Sequence, residues 1–190
     1  SAAKWEEDRV PAGNDPAILL YTGGTTGTSK AVAHTHHQIL ASLVSIEDRW
    51  QTSLDEEIFL NVPPLFHIVG LFHGLFQPVY GRATTILMPR FNPEETLELI
   101  EKYEVTICVA GVPTAYTALL AHPRCKKTDF SSLKFAGGGG APLSEDNLRE
   151  WQSVAGVPAL EGYGMTEGAP TCTNGISLNR KPLSVGPPVL

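Results

Sequence analysis

The sequence is short of cysteine, of basic charge and of long apolar runs, and each shortage removes a class of protein. Its three cysteines, Cys108, Cys125 and Cys172, are odd in number and show no C-x-x-C spacing. They fit neither the disulfide framework of a small secreted domain nor a zinc site, and they suit a reducing compartment. The 14 Lys+Arg against 20 Asp+Glu leave a formal net charge of -6, with no basic stripe to grip a nucleic-acid backbone. No apolar run reaches the roughly 18 residues of a membrane span, and no charged and then apolar leader opens the chain. The expectation is a soluble, cytoplasmic domain with no nucleic-acid partner and no transmembrane segment. Peripheral membrane contact and oligomeric state stay open.

What is present is ordinary globular material: 190 residues, 42% hydrophobic and 18% charged, enough to bury a core without disulfides. Residues 1–15 are polar, carry Pro and Gly punctuation and lack a start methionine, so they read as a linker-like lead-in to an excised piece. Residues 16–190 read as one partial domain of alternating strands and helices. Ala17 to Tyr21 is a short buried strand before a Gly/Thr run, and His34 to Trp50 has helical apolar spacing at Ile39, Leu40, Leu43, Ile46 and Trp50. Glu57 to Val62 reads as a strand, and Phe66 to Tyr80 as a mostly apolar, buried helix.

Ala83 to Met88 is β-rich, and Asn92 is an N-cap before Pro93, Glu94 and Glu95, a helix start that runs to about Tyr103. A strand over Val105 to Ala110, a helix from Pro113 to Ala121 and a strand from Leu133 to Ala136 follow. Ser144 caps a further helix, and Pro158 to Glu161 is the last clear strand; beyond Thr171 the pattern weakens. Strands alternating with helices predict an α/β fold, a parallel sheet layered on both faces. In such sheets ligands sit outside the carboxyl ends of the strands, where three candidate motifs fall.

Thr22, Gly23, Gly24, Thr25, Thr26, Gly27, Thr28, Ser29 and Lys30 have the chemistry of a polyphosphate cradle. Glycines let backbone N–H groups approach an anion, hydroxyls add donors, and Lys30 adds a charge. The same composition also suits a surface turn with a solvated lysine. It is no Walker loop, because Lys30 follows Ser29 and precedes Ala31, so the hydroxyl that would hold magnesium is absent. What the run YTGGTTGTSKAVAHTH resembles is the signature loop of the adenylate-forming superfamily, whose pattern is approximately Y-T-S-G-T-T-G-x-P-K-G-V. Gly23, Ser29 and Ala31 depart from that pattern, and the first departure removes one hydroxyl donor.

Three further segments resemble the same superfamily, in the same order. Pro64 to Gly70 is similar to its P-x-F-H-x-x-G element, Gly138 to Ser144 to its G-G-A-P-L segment, and Tyr163 to Glu167 to its Y-G-x-T-E element. Taken singly, a glycine run is more often a plain turn, and a lone histidine opening an apolar helix is more often a core residue. The helix after His67 could be plain core or one wall of an acyl pocket. The order and spacing of all four, from about Pro16 to Gly186, carry the resemblance. His34, His36 and His37 could suit a metal by spacing alone, but no carboxylate or thiolate is near in sequence, and the family has a similar H-T-H without one. No G-x-S-x-G elbow supports a hydrolase.

The resemblance implies an acyl-CoA synthetase, of the long-chain fatty-acid type, and this chain as part of its large N-terminal domain. Its substrates would be ATP, a small-molecule carboxylate and coenzyme A, with Mg²⁺ as cofactor. ATP would be held by Thr22, Gly23, Gly24, Thr25, Thr26, Gly27 and Lys30, and by Gly139, Gly140, Ala141, Pro142, Tyr163, Gly164, Met165 and Thr166. Glu167 would hold the metal, a ligand type that Mg²⁺ accepts beside phosphate oxygens. Lys30, Thr166, Glu167 and His67 would act in catalysis. The family's Y-x-T-G-D segment and its C-terminal lysine do not occur in this sequence, so the chain alone is expected to be inactive. An amino-acid adenylation domain is the first alternative, although no acid stands beside Phe66 and His67 where such domains carry one. Aryl-acid adenylation domains, fatty-acyl-AMP ligases and luciferase-like enzymes remain as further alternatives, and a non-catalytic nucleotide-binding module is another.

Overall fold

A computed structural model of the chain describes residues 10–23, 29–177, 180–181 and 183–189. A two-stranded antiparallel sheet pairs β1 (Pro16–Thr22) with β2 (Lys30–Thr35). A six-stranded sheet has the order β4-β3-β5-β6-β7-β8, made of β3 (Ile58–Asn61), β4 (Thr84–Leu87), β5 (Ile107–Gly111), β6 (Phe135–Gly138), β7 (Ala159–Met165) and β8 (Gly168–Thr173). All its pairings are parallel except the β7–β8 hairpin. The connection from β3 runs to β4 on one side, and the chain then returns to β5 on the other. The order therefore reverses between β3 and β5, which is where α/β sheets open a crevice.

Alternation along the central strands sends side chains to both faces. Leu60, Cys108 and Ala136 join one core with Leu97, Ile100, Tyr116, Leu119 and Trp151, which come from α4 (Pro93–Lys102), α5 (Pro113–Ala121) and α6 (Glu145–Ala155). Phe59, Ile107, Val109, Phe135 and Leu160 join the other with Leu43, Ile46 and Trp50 of α1 (His36–Trp50) and with Phe72. The expected layering on both faces is what the structure has. The caps at Asn92 and Ser144 form as read, their side chains accepting from Glu95 N and Asn147 N.

Three expectations need correction. His34 and Thr35 end the strand Lys30–Thr35 rather than open the helix, because Thr35 and Gln38 close a capping box that starts the helix at His36. With only β2 as a partner, β1 is not a buried strand, and Tyr21 is 72% exposed. The apolar run at Phe66–Tyr80 is three short segments, α2 (Ile68–Leu71), a π-helical turn over Phe72–Phe76, and α3 (Gln77–Gly81), with Leu75, Val79 and Tyr80 exposed. β8 had no sequence signal of its own, since Gly168, Pro170 and polar residues compose it and pairing with β7 alone makes it a strand.

At the amino end of the sheet Glu57 is buried and fully bonded, accepting from Ser53 N at 2.8 Å, Thr106 Oγ1 at 2.5 Å and Lys134 Nζ at 2.6 Å. Burial works against its charge, but the bonds to Lys134, Ser53 and Thr106 prevail and hold its carboxyl below the usual range. At the other end, α2 lies directly on the turn before it, where a Cβ on Gly70 would sit 2.2 Å from the Pro64 carbonyl oxygen. Gly70→Ala is therefore expected to destabilise the fold by about 2–3 kcal/mol. Gly81→Ala meets nothing within 4 Å and should stabilise by about 0.4–1 kcal/mol. Urea midpoints that move equally for the two variants would disprove this packing.

Candidate active site

The carboxyl ends of β5, β6 and β7 and the segment after β3 surround one cavity of about 270 Å³. From β5 come Val109 and Gly111, from β6 and its turn Gly137 to Gly140, and from β7 Gly162 to Thr166. His67, Ile68, Val69, Phe72 and His73 supply a further wall, and Ile46 and Trp50 of α1 supply another. Glycine makes this approach feasible: a Cβ on Gly139 would lie 2.8 Å from the Gly162 carbonyl oxygen, and Gly140 has φ +76.

Of the residues expected in the site, His67, Gly139, Gly140, Tyr163, Gly164, Met165 and Thr166 line this cavity together. Tyr163 is 49% exposed, leaving a ring face open. Its element is the end of β7 rather than a loop after a strand, and the hairpin to β8 begins at Thr166. Ala141, Pro142 and Glu167 are exposed and stand outside the lining residues. Thr22 and Lys30 face each other at the end of the β1–β2 pair where the connecting residues 23–29 leave it, with Thr22 Oγ1 donating to the Lys30 carbonyl at 3.4 Å. Gly23 follows β1, while Gly24, Thr25, Thr26 and Gly27 lie outside the described residues.

His67 has two tasks. It is the N-cap of α2, its Nδ1 accepting from Val69 N at 3.2 Å. That bond makes Nδ1 the acceptor and leaves Nε2 as the nitrogen that carries the proton of a neutral ring. The cavity therefore has an N–H donor available from His67, whose ring lines it.

Four further residues take part in holding the site, and none is assigned a place there from sequence. His34 is only 8% exposed, and its Nε2 stands 2.7 Å from the Thr166 carbonyl oxygen, which joins β2 to the turn after β7. A carbonyl only accepts, so Nε2 is the donor. Glu161 is buried and accepts from Leu143 N at 2.8 Å, which holds the turn after β6 against β7. Trp50 donates from Nε1 to Thr173 Oγ1 at 3.3 Å and stacks on His73 with ring centroids 4.7 Å apart. Burial pushes the His73 imidazole down to about 4, against the opposing bond to Gln77. No sequence pattern distinguishes these polar residues from ordinary core and surface ones; only the packing does. Burial also pushes the Cys108 thiol up to about 12, which removes it as a nucleophile.

Among the described residues no group of three or more His, Cys, Asp or Glu could by itself hold a metal ion. Glu167 is one exposed carboxylate beside the Thr166 turn. Mg²⁺ is commonly held by one or two carboxylates together with phosphate oxygens and water. The donor set thus fits a metal shared with a bound polyphosphate, not one caged by this chain.

The model of the AMP-binding enzymes matches residues 1–190. The chain belongs to that family. It is 37% identical over 183 residues to a long-chain-fatty-acid–CoA ligase of Bacillus subtilis, covering 95% of this chain and 32% of that protein. It is 33% identical over 200 residues to a malonate–CoA ligase of Arabidopsis thaliana, covering 93% of this chain and 32% of the relative. The crystal structure of ATP-bound MatB from Rhodopseudomonas palustris superposes with a TM-score of 0.84 at 34% identity, over 95% of this chain and 35% of that one. The chain thus spans about a third of the length of these AMP-binding relatives. No helix among the described residues is long and apolar enough to cross a membrane.

The depressed His73 value has a consequence for stability. In the unfolded chain this imidazole titrates near its ordinary 6.5, in the folded chain at about 4. Between those values the unfolded state binds more protons, so the fold loses stability as pH falls from about 6.5 to about 4, by on the order of 3 kcal/mol over the full window. His73→Phe should remove that component. Urea midpoints of the two proteins that run parallel from about pH 7 to pH 4 would show that the ring charges freely in the fold.

Proposed function

We propose that the protein carrying this chain activates a carboxylic acid with ATP and passes the acyl group to coenzyme A. One observation carries the reading: the Phe-His, Gly-Gly-Ala-Pro-Leu and Tyr-Gly-Met-Thr-Glu segments, far apart in sequence, contribute His67, Gly139–Gly140 and Tyr163–Thr166 to one cavity. An oxygen of the substrate carboxylate attacks the α-phosphorus, and the bond from that phosphorus to the bridging oxygen breaks to release pyrophosphate. The thiolate sulfur of coenzyme A then attacks the acyl carbon, and its bond to the phosphate oxygen breaks to release AMP.

The chain's own groups hold and orient. Lys30 and the hydroxyls of Thr22, Thr25 and Thr26 neutralise and grip the β- and γ-phosphates, and Thr166 bonds the α-phosphate. The Tyr163 ring and the backbone of Gly139 and Gly140 receive the adenine, with Ala141 and Pro142 completing the turn. His67 offers its N–H to the carboxylate and keeps it facing the phosphorus. Mg²⁺ bound between Glu167 and the phosphates would offset their charge. All of this is positioning and electrostatics in a partly enclosed site.

Ile46, Trp50, Ile68, Val69, Phe72 and Val109 give the cavity apolar walls, and among the described residues no carboxylate lines it. An uncharged acyl group, with fatty acids as the leading class, suits such walls better than a dicarboxylate. The lead-in of residues 1–15 is proposed as a linker, and residues 16–190 as part of the adenylation domain.

Calorimetry on this chain should show Mg²⁺-dependent binding of ATP or pyrophosphate that Thr26→Ala and Lys30→Ala weaken by at least about tenfold. Equal affinities would refute the loop assignment. In the full-length protein carrying this segment, Glu167→Gln should lower acid-dependent pyrophosphate exchange by about 100-fold or more. Exchange that is as fast with malonate as with octanoate would overturn the fatty-acid reading.

A further inference from the structure

Among the aromatic and aliphatic side chains that line one side of the cavity stands a second histidine. His73 sits on the π-helical turn after α2, and its ring lines the cavity between Trp50 and Phe72. The Trp50 ring stacks on it at an interplanar angle of 12°, and the Phe72 ring meets it edge-on with centroids 5.2 Å apart. Its Nδ1 lies 2.8 Å from Gln77 Oε1, and Gln77 Nε2 donates to Glu47 Oε1 at 2.9 Å. Glu47 Oε2 accepts in turn from Thr52 N and Thr52 Oγ1.

This chain of bonds has a direction. A carboxylate only accepts, so the Gln77 amide must turn its NH₂ toward Glu47 and its oxygen toward His73. An amide oxygen only accepts, so His73 must donate from Nδ1. The remaining nitrogen, Nε2, is then a bare lone pair, and it has no hydrogen-bond partner among the described residues. Gln77 is 1% exposed, so water does not compete for its amide. The ring is held neutral by burial, beside the apolar side chains of Ile68, Val69 and Phe72.

We propose that His73 is a specificity-determining residue, whose Nε2 accepts a hydrogen bond from a hydroxyl on the acyl chain bound in this cavity. The inference rests on the reading of the cavity as an acyl site. A hydroxylated acid satisfies Nε2, whereas its deoxy partner leaves a polar atom unpaired against hydrocarbon. A helix in regular α geometry would not place Phe72 and His73 on this wall in the same way. The π turn supplies the extra residue, and Gly74 admits it, since a Cβ there would stand 2.5 Å from Asn61 Nδ2.

Two measurements decide the assignment. In the first, the full-length protein carrying this segment is assayed for pyrophosphate exchange on straight-chain acids of one length. One hydroxyl is moved along the chain, and the deoxy acid serves as reference. At the matching position the hydroxylated acid is expected to have about tenfold higher kcat/KM, the worth of one such bond. His73→Phe should bring that ratio to about one, and Gln77→Leu, which frees the ring to turn, should reduce it. A ratio near one at every position, or one that His73→Phe leaves unchanged, overturns the proposal. No exchange with any acid would instead overturn the ligase reading itself. In the second, ¹⁵N spectra of this histidine-labelled chain should show Nδ1 protonated and Nε2 bare at about pH 5.5 to 8. A protonated Nε2, or a midpoint near the ordinary value, would equally refute it.

Discussion

The backbone of Gly139 passes so close beneath Gly162 that a methyl group would meet its carbonyl oxygen at 2.8 Å. This close approach is the constraint on which the rest of the site depends. Gly138 is nearly as confined, since its Cβ would stand 3.1 Å from the Tyr116 ring and 3.3 Å from the Gly111 carbonyl. Gly137 would touch the Trp50 ring at 3.3 Å. Parallel strands are spaced by their hydrogen bonds, so the ends of β5, β6 and β7 cannot spread to admit side chains. The cavity is therefore shaped by backbone and by aromatic rings behind it. It does not depend on flexible side chains that would need ordering when a ligand binds.

Hydrogen bonds from buried polar groups hold this arrangement together. Glu161 fixes the turn after β6 through Leu143 N, and the Glu161 carbonyl accepts from Asn174 N and Asn174 Nδ2, which secures the chain beyond β8. His34 performs the corresponding task across the two sheets, bonding the Thr166 carbonyl from β2. The β1–β2 pair and the Tyr163–Thr166 segment belong to different sheets, so this bond is a direct link between them. A ligand that contacts both elements would find their separation already set, which lowers the ordering that binding must supply.

Much of the fold was legible because its signals are local. Asn92-Pro93 and Ser144 start helices through their own side-chain caps, and the strands over Ile58–Asn61 and Ile107–Gly111 are continuous apolar runs of the kind a sheet buried on both faces requires. The errors fall where tertiary pairing decides. Lys30–Thr35 is a strand only because β1 lies beside it, and Gly168–Thr173 only because β7 does. Three of the four motifs contribute residues to one cavity, in His67, Gly139, Gly140 and Tyr163–Thr166. The roles of His34, Trp50, His73 and Glu161 could not be found in that way. Their importance comes from partners at sequence distances that no pattern covers, such as the 132 residues between His34 and Thr166.

The two ends of the sheet treat buried polar groups in opposite ways. At the amino end Glu57 has its partners in Ser53, Thr106 and Lys134, and no lining of a cavity is near it in the chain. Such a group, buried and held by three partners, stabilises one arrangement of strands. At the carboxyl end the polar groups are oriented by one bond and left open at the other. His67 gives Nδ1 to the cap of α2 and keeps Nε2, while His73 gives Nδ1 to Gln77 and keeps Nε2. The first ring thereby offers a donor and the second an acceptor, although both are imidazoles of the same short segment. The difference arises from which partner holds Nδ1, a backbone N–H in one case and an amide oxygen in the other. Fixing the tautomer through the far nitrogen makes each ring's character a property of the fold, and one wall of the cavity then presents a donor at one point and an acceptor at another.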